Sequence, residues 1–244
     1  MNYVRWYYTS EMHNDLYYTN YLIVCYDKKI DKVIVTTQKC GQSFLTKQLP
    51  NSHLEVLKNN NEDSVKLGFY NIHRFDEAGN PLSEILEQSK CTNLDELFSK
   101  DVHFVIREPI ERFISGITEI VVHQLQTDGQ YYDESMEFFT SDEGQSKIRE
   151  HLEKTNIQDY LHDPHILPIL DFYNSIWKDN YKVIHMNELD SLYDSEKPNS
   201  FKNVRNPIYS SWKNDKTHPI HRLVIQFLDI YTKEEIAWQN LKNH

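Results

Sequence analysis

Short apolar segments alternate with amphipathic segments along most of the chain. Residues 16–37 are rich in β-branched and aromatic side chains and are divided by a polar DKK segment, which predicts two strands joined by a turn. The second strand, residues 32–37, is apolar without polar alternation, as in a buried strand of a parallel sheet. Residues 38–50 predict a glycine-containing turn and a helix that Pro50 ends. A strand, a loop and a helix therefore follow one another early in the chain.

The same order of elements recurs further along the chain. Residues 103–107 (HFVIR) predict a compact strand, and Pro109 stands at a natural first position of the helix that follows. Residues 65–70 and 181–186 predict further strands, and residues 141–155 predict a polar surface helix with an acidic first turn. Strands and helical segments therefore alternate along this part of the chain.

The end of the chain is polar first and helical afterwards. Residues 194–216 are polar and broken by proline, which predicts a long functional loop. Residues 232–235 (TKEE) form a candidate capping box that opens the final helix. Strands that alternate with helices predict an α/β fold with a doubly wound parallel sheet and helices on both faces. We interpret residues 1–244 as one domain, in which residues 1–30 form an N-terminal strand extension.

Composition and charge exclude several classes of protein. No segment approaches the roughly 18–20 uninterrupted apolar residues of a membrane span, and the N-terminus lacks the apolar core of a signal peptide, so we expect a cytoplasmic protein. Cys25, Cys40 and Cys91 lack paired metal spacing and predict free thiols. The formal net charge of −11 argues against a nucleic-acid partner, because the overall field repels polyanions. Any anion must therefore be bound locally.

The loop after the second strand has the residues of an anion site. In VIVTTQKCGQSFL, a buried strand leads into a helix start, where backbone N–H groups and the positive end of the helix dipole meet. Lys39 adds a positive charge, Gly41 permits close backbone approach, and Ser43 supplies a hydroxyl donor. Lys39 precedes the glycine, unlike the lysine of a Walker A loop. We expect Cys40 to pack or to line the loop, because the chemistry needs no thiol.

The later junction, FVIREPIERFISG, contains a second candidate anion site. Arg107 ends a buried strand, where a guanidinium is easiest to explain if it meets an anion. Ser115 follows about two helical turns into the next helix, so both side chains could face one phosphate. Arg112 could join them, or it could pair with Glu108 or Glu119 on the surface.

Together the two segments resemble the sulfotransferase superfamily, in its carbohydrate-type branch. The 5′-phosphosulfate loop of that family reads approximately PKxGTTxL, and its 3′-phosphate motif reads approximately RdPxxRfxSgy. The matching positions are Lys39, Gly41, Ser43 and Leu45 in the first motif, and Arg107, Pro109, Arg112, Phe113, Ser115 and Gly116 in the second. Gln38 and Gln42 depart from the family's Pro and Thr. The segment HILP, which contains His165, and the late segments VIHMNELDSL and IYTKEEIAW are also similar to that branch.

The resemblance implies a P-loop-like sulfotransferase topology and the co-substrate 3′-phosphoadenosine-5′-phosphosulfate (PAPS), without a metal. A sulfuryl group would move from PAPS to an acceptor hydroxyl or amine on a small molecule or glycan, with a carbohydrate hydroxyl favoured. Lys39 would neutralise the leaving group, and His73 would be the base, with Glu108 and His165 in reserve. The residues expected to bind PAPS are Lys39, Cys40, Gly41, Gln42, Ser43, Phe44, Arg107, Ser115 and Arg205. Lys202 and Lys213 are further basic candidates in the same late segment as Arg205.

Two other functions remain open at this point. A nucleotide-dependent phosphotransferase of the P-loop class shares the strand, loop and helix, and binding of ATP with magnesium would favour it. A non-catalytic binding protein that keeps the nucleotide fold is the second, because Gln38 and Gln42 are altered and the base is uncertain. Binding without turnover would favour this second alternative.

Overall fold

A mixed seven-stranded sheet forms the centre of the protein in the computed structural model. The structure describes residues 21–42, 44–45, 53–57, 65–67, 70–73, 81–127, 137–160, 163, 165–166, 181–189 and 202–242. The strands are β1 (Tyr21–Asp27), β2 (Lys32–Thr36), β3 (His53–Leu57), β4 (Val65–Leu67), β5 (Tyr70–His73), β6 (Asp101–Ile106) and β7 (Lys182–His185). They lie side by side in the order β4-β5-β3-β1-β2-β6-β7.

The sheet is parallel in one part and antiparallel in the other. β2 pairs with β6, and β6 with β7, in parallel. β1 pairs antiparallel with β2 and β3, and β5 does so with β3 and β4. The predicted parallel sheet is therefore confirmed for β2, β6 and β7 and is wrong for the other strands. The tight turn between β1 and β2 is one cause, because a parallel neighbour requires a crossover of a dozen or more residues.

Both faces of the central strands are covered. Residues 33–35 of β2 and residues 104–106 of β6 are all buried to within 1% of complete burial. Successive side chains of a strand point to opposite faces, so burial of three in a row requires packing on both sides of the sheet. The unbroken apolar runs of these two strands follow from that environment.

Six helices lie within the described residues. They are α1 (Pro81–Ser89), α2 (Leu94–Leu97), α3 (Pro109–Thr127), α4 (Asp142–Lys154), α5 (Lys202–Asn214) and α6 (Ile220–Lys242). α1 contacts β1 and β3, and its Ile85 is buried in the core of the strands. α3 contacts α4, α5 and α6, and the rings of Phe113 and Phe227 stack with centroids 4.4 Å apart in this second core. Among the described helices, none is long and apolar enough to cross a membrane.

The helix predictions are confirmed at α3 and α4 and wrong at α5. Ser141 caps α4 by accepting a hydrogen bond from the N–H of Gly144 at 3.2 Å. The predicted loop at residues 194–216 instead contains α5, in which Pro207 lies inside the helix and Ile208 is 1% exposed. Contacts of α5 with α3 outweigh the poor helix propensity of this segment. Lys202, Arg205 and Lys213 therefore belong to a helix.

The final helix begins earlier than predicted. α6 runs from Ile220, and its backbone leaves helical geometry at Tyr231, with φ −113° and ψ 27°. The predicted capping box starts at the next residue, but the Thr232 hydroxyl donates to the carbonyl of Leu228. The TKEE segment therefore follows a kink within one long helix.

The prediction of free thiols is confirmed. None of the three cysteines forms a disulfide; Cys25 and Cys40 are buried, and Cys91 is partly exposed. Burial raises the pKa of the Cys25 thiol, and the nearby charge of Asp27 adds to this effect. Cys25 is therefore an inert core residue.

Candidate functional site

The loop after β2 turns sharply at the carboxyl end of that strand. Lys39 and Gly41 both have left-handed backbone conformations, with φ of 65° and 85°. The Thr36 hydroxyl donates to the carbonyl of Cys40 at 2.6 Å, which closes the turn. A Cβ on residue 41 would lie 2.8 Å from Cδ1 of Leu189. The left-handed backbone conformation therefore favours glycine at position 41, and a side chain there would also displace the end of the Leu189 side chain.

A helical turn begins directly after Gly41. The N–H groups of Phe44 and Leu45 donate to the Gly41 carbonyl at 3.1 and 3.0 Å. Both side chains are buried in the core of the strands, as is the side chain of Cys40. Gln42 is partly exposed at the start of this turn, and Ser43 lies outside the described residues. These buried side chains fix the turn at the carboxyl end of β2.

Two arginines from the second motif hold the loop through its carbonyl groups. Nη1 of Arg107 donates to the carbonyl of Lys39 at 3.1 Å, and Nε of Arg112 donates to the carbonyl of Gln38 at 3.3 Å. Arg112 is 1% exposed, so the surface ion pair considered for it is wrong. Because β2 and β6 are parallel neighbours, the segments after them emerge at the same edge of the sheet. The two sequence motifs thus form one structural unit.

Arg107 has hydrogen-bonding capacity that its surroundings do not use. It is 4% exposed, and its Nε lies 3.6 Å from a carboxylate oxygen of Glu111. Nη2 is buried and has no hydrogen-bond partner among the residues that the structure describes. Burial lowers the pKa of Arg107, but an arginine keeps its charge in proteins. A buried charged donor without an acceptor costs about 1–3 kcal/mol or more, which is typical of a position where a ligand supplies the acceptor.

Lys39 contacts a carboxylate from α3. Its Nζ pairs with Glu119, and the two side chains are 13% and 16% exposed. Burial, followed by the positive charge of Arg107, lowers the pKa of Lys39 to about 7, while Asp163 opposes the shift. The contact with Glu119 also favours the charged amine. Near neutral pH, the protonation of Lys39 therefore depends on the charged groups around it.

One face of α3 runs past both cations. Glu111, Ser115 and Glu119 are spaced four residues apart, so they are neighbours along one side of the helix. The first of these lies beside Arg107 and the last contacts Lys39. Ser115 is 8% exposed and lies between them on the same face. The structure therefore brings together Lys39, Arg107 and Ser115, as the two motifs predict.

A segment from later in the chain packs onto α3 next to this face. A Cβ on Gly116 would lie 2.9 Å from the carbonyl carbon of His165, so only glycine allows the two backbones to approach. Nδ1 of His165 lies 2.7 Å from a carboxylate oxygen of Asp163. Nε2 of the same ring lies 3.7 Å from Glu119. A cluster of Lys39, Glu119, His165 and Asp163 results.

The ionisation of the histidine and aspartate depends on this cluster. Burial, followed by the charge of Lys39, lowers the pKa of His165, and the hydrogen bond to Asp163 opposes the shift. Burial raises the pKa of Asp163, but the hydrogen bonds from His165 outweigh it and hold that pKa below its usual value. A neutral imidazole beside a charged carboxylate is therefore the expected state at pH 7.

Sequence reasoning missed part of this cluster. The sequence pattern assigns no role to Asp163, and it suggests for Glu119 only a surface pair with Arg112. The signal available in the sequence is Gly116, a glycine inside a strongly helical pattern, which indicates close backbone approach. Nothing in the sequence indicates which segment makes that approach.

Glu108 has a structural role at the start of α3. Its carboxylate accepts hydrogen bonds from the N–H of Ile110 at 3.2 Å and of Glu111 at 2.7 Å. A carboxylate at this position stabilises a helix by satisfying N–H groups that have no helical acceptor. These bonds use the oxygens that a general base would need, although its catalytic role stays a prediction.

His73 and Arg205 lie on elements outside the cluster. His73 pairs with Glu55, which pairs with Ile23, which pairs with Thr36, so His73 and Thr36 share one row of the sheet. Three strand spacings of roughly 4.8 Å put their backbones about 14 Å apart. Arg205 lies on α5, one turn before Tyr209, whose pKa is raised mainly by burial and further by the charge of Glu111. The roles predicted for both residues stay predictions.

No group of three or more histidine, cysteine, aspartate or glutamate side chains within the described ranges could hold a metal ion. No protein-family model matches the chain, and no curated protein or solved structure matches it. The function is therefore inferred from the residues of the site.

Proposed function

We propose that the protein is a PAPS-dependent sulfotransferase that moves a sulfuryl group from PAPS to an acceptor hydroxyl, with a carbohydrate hydroxyl favoured. The observation that carries the proposal is the hydrogen bond between Nη1 of Arg107 and the carbonyl of Lys39. Each motif alone is a weak signal, but a donor site for PAPS requires the two to lie together. The contact supports this arrangement, and it joins residues 68 positions apart.

The 3′-phosphate of PAPS is the proposed ligand of Arg107 and Ser115. A phosphate oxygen is the acceptor that the buried Nη2 of Arg107 needs, and charge-assisted hydrogen bonds of this kind are roughly twice as strong as neutral ones. Ser115 supplies a hydroxyl donor from the neighbouring face of α3. The 3′-phosphate distinguishes PAPS from ATP, so these two residues would set the choice of nucleotide.

Lys39 and its loop are proposed to hold the 5′-phosphosulfate. The amine would neutralise the negative charge that develops on the bridging oxygen as the bond to sulfur breaks. The loop amides and Ser43 would bind the remaining oxygens, and the P-loop-like topology proposed for the fold would orient the nucleotide at the ends of β2 and β6. Removal of one preorganised donor of this kind costs about 10²–10³ in rate.

A comparison of two nucleotides tests the proposal. Adenosine 3′,5′-bisphosphate (PAP) and AMP differ only in the 3′-phosphate, and each is titrated while the thermal midpoint is followed. At a hundred times the dissociation constant, PAP should raise the free energy of unfolding by about 2.7 kcal/mol, or roughly 5–10 °C. AMP should give a smaller rise at equal concentration. Lys39→Ala should lose the response to both nucleotides, whereas Arg107→Met should respond to both equally weakly.

Lys32→Ala is the matched control, because it removes the same charge from the opposite end of β2. It should keep the full response to PAP. Conversion of PAPS to PAP by the wild type then tests turnover. A rise in the thermal midpoint with ATP and magnesium, without any rise with PAP, would contradict the proposal and favour a phosphotransferase. A response to PAP without any turnover would favour a binding protein.

A further inference from the structure

Four charged or ionisable side chains converge beside the loop, and the proposed donor site uses only one of them. Lys39 contacts Glu119, and Glu119 lies 3.7 Å from His165, whose other ring nitrogen lies 2.7 Å from Asp163. Their side chains are 13%, 16%, 22% and 29% exposed in that order. The cluster is thus packed against protein and still reached from solvent. A reacting group could approach it.

We propose that His165 accepts the proton of the acceptor group during sulfuryl transfer, and that Asp163 is the positioning residue that orients its ring. The inference rests on the proposed function, because it assigns the proton acceptor of that same site. Proximity to Lys39 is the first reason. A base must lie close to the sulfur that Lys39 and its loop would hold, and the imidazole and the amine face the same carboxylate of Glu119.

The hydrogen bonds of His165 determine which ring nitrogen can accept a proton. The carboxylate of Asp163 lies 2.7 Å from Nδ1 and also accepts the backbone N–H of His165 at 2.8 Å. A carboxylate accepts a hydrogen bond, so Nδ1 carries the proton and Nε2 carries the lone pair. Nε2 is the nitrogen nearer to Glu119, the carboxylate that Lys39 also contacts. The distance of 3.7 Å to Glu119 is too long for a hydrogen bond, so Nε2 is not committed to that carboxylate.

The charges around His165 suit a group that must be neutral first and cationic later. The groups that face it are Asp163 on its own segment, Glu119 and His123 on α3, and Lys39 on the loop. Burial and Lys39 lower its pKa, which keeps the imidazole neutral at pH 7. After proton transfer, the carboxylates of Asp163 and Glu119 would stabilise the imidazolium.

The chemical step balances with these residues. The acceptor oxygen forms a bond to sulfur, and the bond from sulfur to the bridging oxygen of PAPS breaks. The electron pair of that bond stays on the bridging oxygen, which PAP carries away beside the amine of Lys39. The acceptor proton moves to Nε2 of His165 and later returns to solvent. No oxidant, reductant or further reactant is needed.

Release of PAP from PAPS, with water as the acceptor, tests the assignment. His165→Asn should lower kcat by about 10²–10⁴, the usual contribution of a general base, while the affinity for PAP changes less than twofold. In His165→Ala, added imidazole should restore part of the rate. His151→Ala, which removes a partly exposed imidazole from α4, should keep the wild-type rate.

The pH profile separates a positioning role of Asp163 from a purely structural one. The hydrogen bond to Asp163 raises the pKa of His165, so Asp163→Asn should move the acid limb of kcat to lower pH as well as lower kcat. A substitution that only loosened the segment around His165 would lower kcat without shifting the acid limb of its pH profile.

Several results would overturn the assignment. One is a His165→Asn protein that turns over PAPS at the wild-type rate, and another is loss of turnover in His73→Ala with an unaffected His165→Asn. Loss of PAP binding in both His165 variants would make the residue structural. A wild type that binds PAP but releases none from PAPS would also reject it. A wild type that does not bind PAP would instead reject the proposed function itself.

Discussion

The two ends of the parallel strands carry different arrangements of charge. At the amino ends, Asp101 of β6 lies 3.7 Å from Lys32 of β2, 2.8 Å from Lys182 of β7 and 3.0 Å from His103. Every charge there has an opposite charge beside it, and Asp101 is 35% exposed. At the carboxyl ends, Arg107 and Arg112 are buried, and Nη2 of Arg107 has no hydrogen-bond partner within the described part of the chain.

The difference indicates where stability and where function reside. Exposed ion pairs are worth about 0–1 kcal/mol each and require no ligand to be complete. Buried cations with unused donors lower stability unless an anion binds to them. The charges at the amino ends are therefore already paired, whereas the carboxyl ends hold a buried donor that the proposed ligand would pair with. The following predictions test this contrast, in order of decreasing effect.

The largest expected effect is on the pH dependence of PAP binding. Burial lowers the pKa of Lys39 to about 7, so the amine loses its charge as the pH rises through that value. The affinity should therefore fall by up to about tenfold for each pH unit above 7. Lys39→Arg keeps its charge and should remove most of this dependence. Dissociation constants measured by calorimetry from pH 6 to 9 provide the check, and an unchanged wild-type affinity across that range would contradict it.

Gly116→Ala should destabilise the protein at the carboxyl end. Alanine normally stabilises a helix relative to glycine by about 1 kcal/mol. Here the new Cβ would lie within 2.9 Å of the His165 backbone, and overpacking of this kind costs about 1–3 kcal/mol. Urea denaturation should therefore show a net loss of stability, together with a lower rate of PAPS turnover. A gain in stability would show that the segment with His165 does not pack on α3.

Two substitutions of Lys39 separate the charge from the backbone conformation. Lys39→Gly and Lys39→Ala both remove the amine and should both lose PAP binding. They differ only in the Cβ at a φ of 65°, a conformation that alanine does not adopt without strain, so the glycine variant should be more stable by more than about 1 kcal/mol. Chemical denaturation of the two proteins side by side measures the difference. Equal stabilities would mean that the loop has no left-handed residue at this position.

The smallest expected effect is at the amino end. Hydrogen bonds from Lys182 and then His103 lower the pKa of Asp101 to about 2. A lowered pKa contributes stability above the usual value near 4, and this stability is lost as the pH falls towards 2. Asp101→Asn should therefore cost about 0.5–1 kcal/mol at pH 7, since the site is partly exposed, and nothing near pH 2. The rise in its thermal midpoint with PAP should match that of the wild type. A smaller rise would mean that the amino ends of the strands also contribute to PAP binding.

The sequence predicts the parallel strands and the principal cation of each motif, because these signals are local. The apolar run before Arg107 shows that a charge ends a buried strand, and the turn residues around Lys39 and Gly41 indicate a cradle. The burial of Arg112 could not be predicted, because its partner is a backbone carbonyl, which leaves no trace in the side-chain pattern. The antiparallel part of the sheet was missed where strand β3, HLEVL, carries polar residues among its apolar ones.

Contacts between distant segments also explain why neither helix α5 nor the surroundings of His165 could be predicted. Pro207 suggests a loop, but the contacts of α5 with α3 stabilise the helix. His165 and Asp163 lie two positions apart in the chain, whereas the approach of His165 to Glu119 depends on how distant segments pack. Chemistry that requires contacts between distant segments is therefore the part that a single sequence leaves open.

The bonds from Arg107 and Arg112 to the loop carbonyls also bear on folding. They join residues 68 and 74 positions apart, so the loop gains these two supports only after β6 has docked beside β2. Contacts of such long sequence separation form late, because the entropy of closing the intervening chain must be lost first. An excised peptide that spans β2 and the loop would lack both arginines. Anion affinity would then be acquired near the end of folding, and a nascent chain would bind nucleotide only once the second motif had emerged.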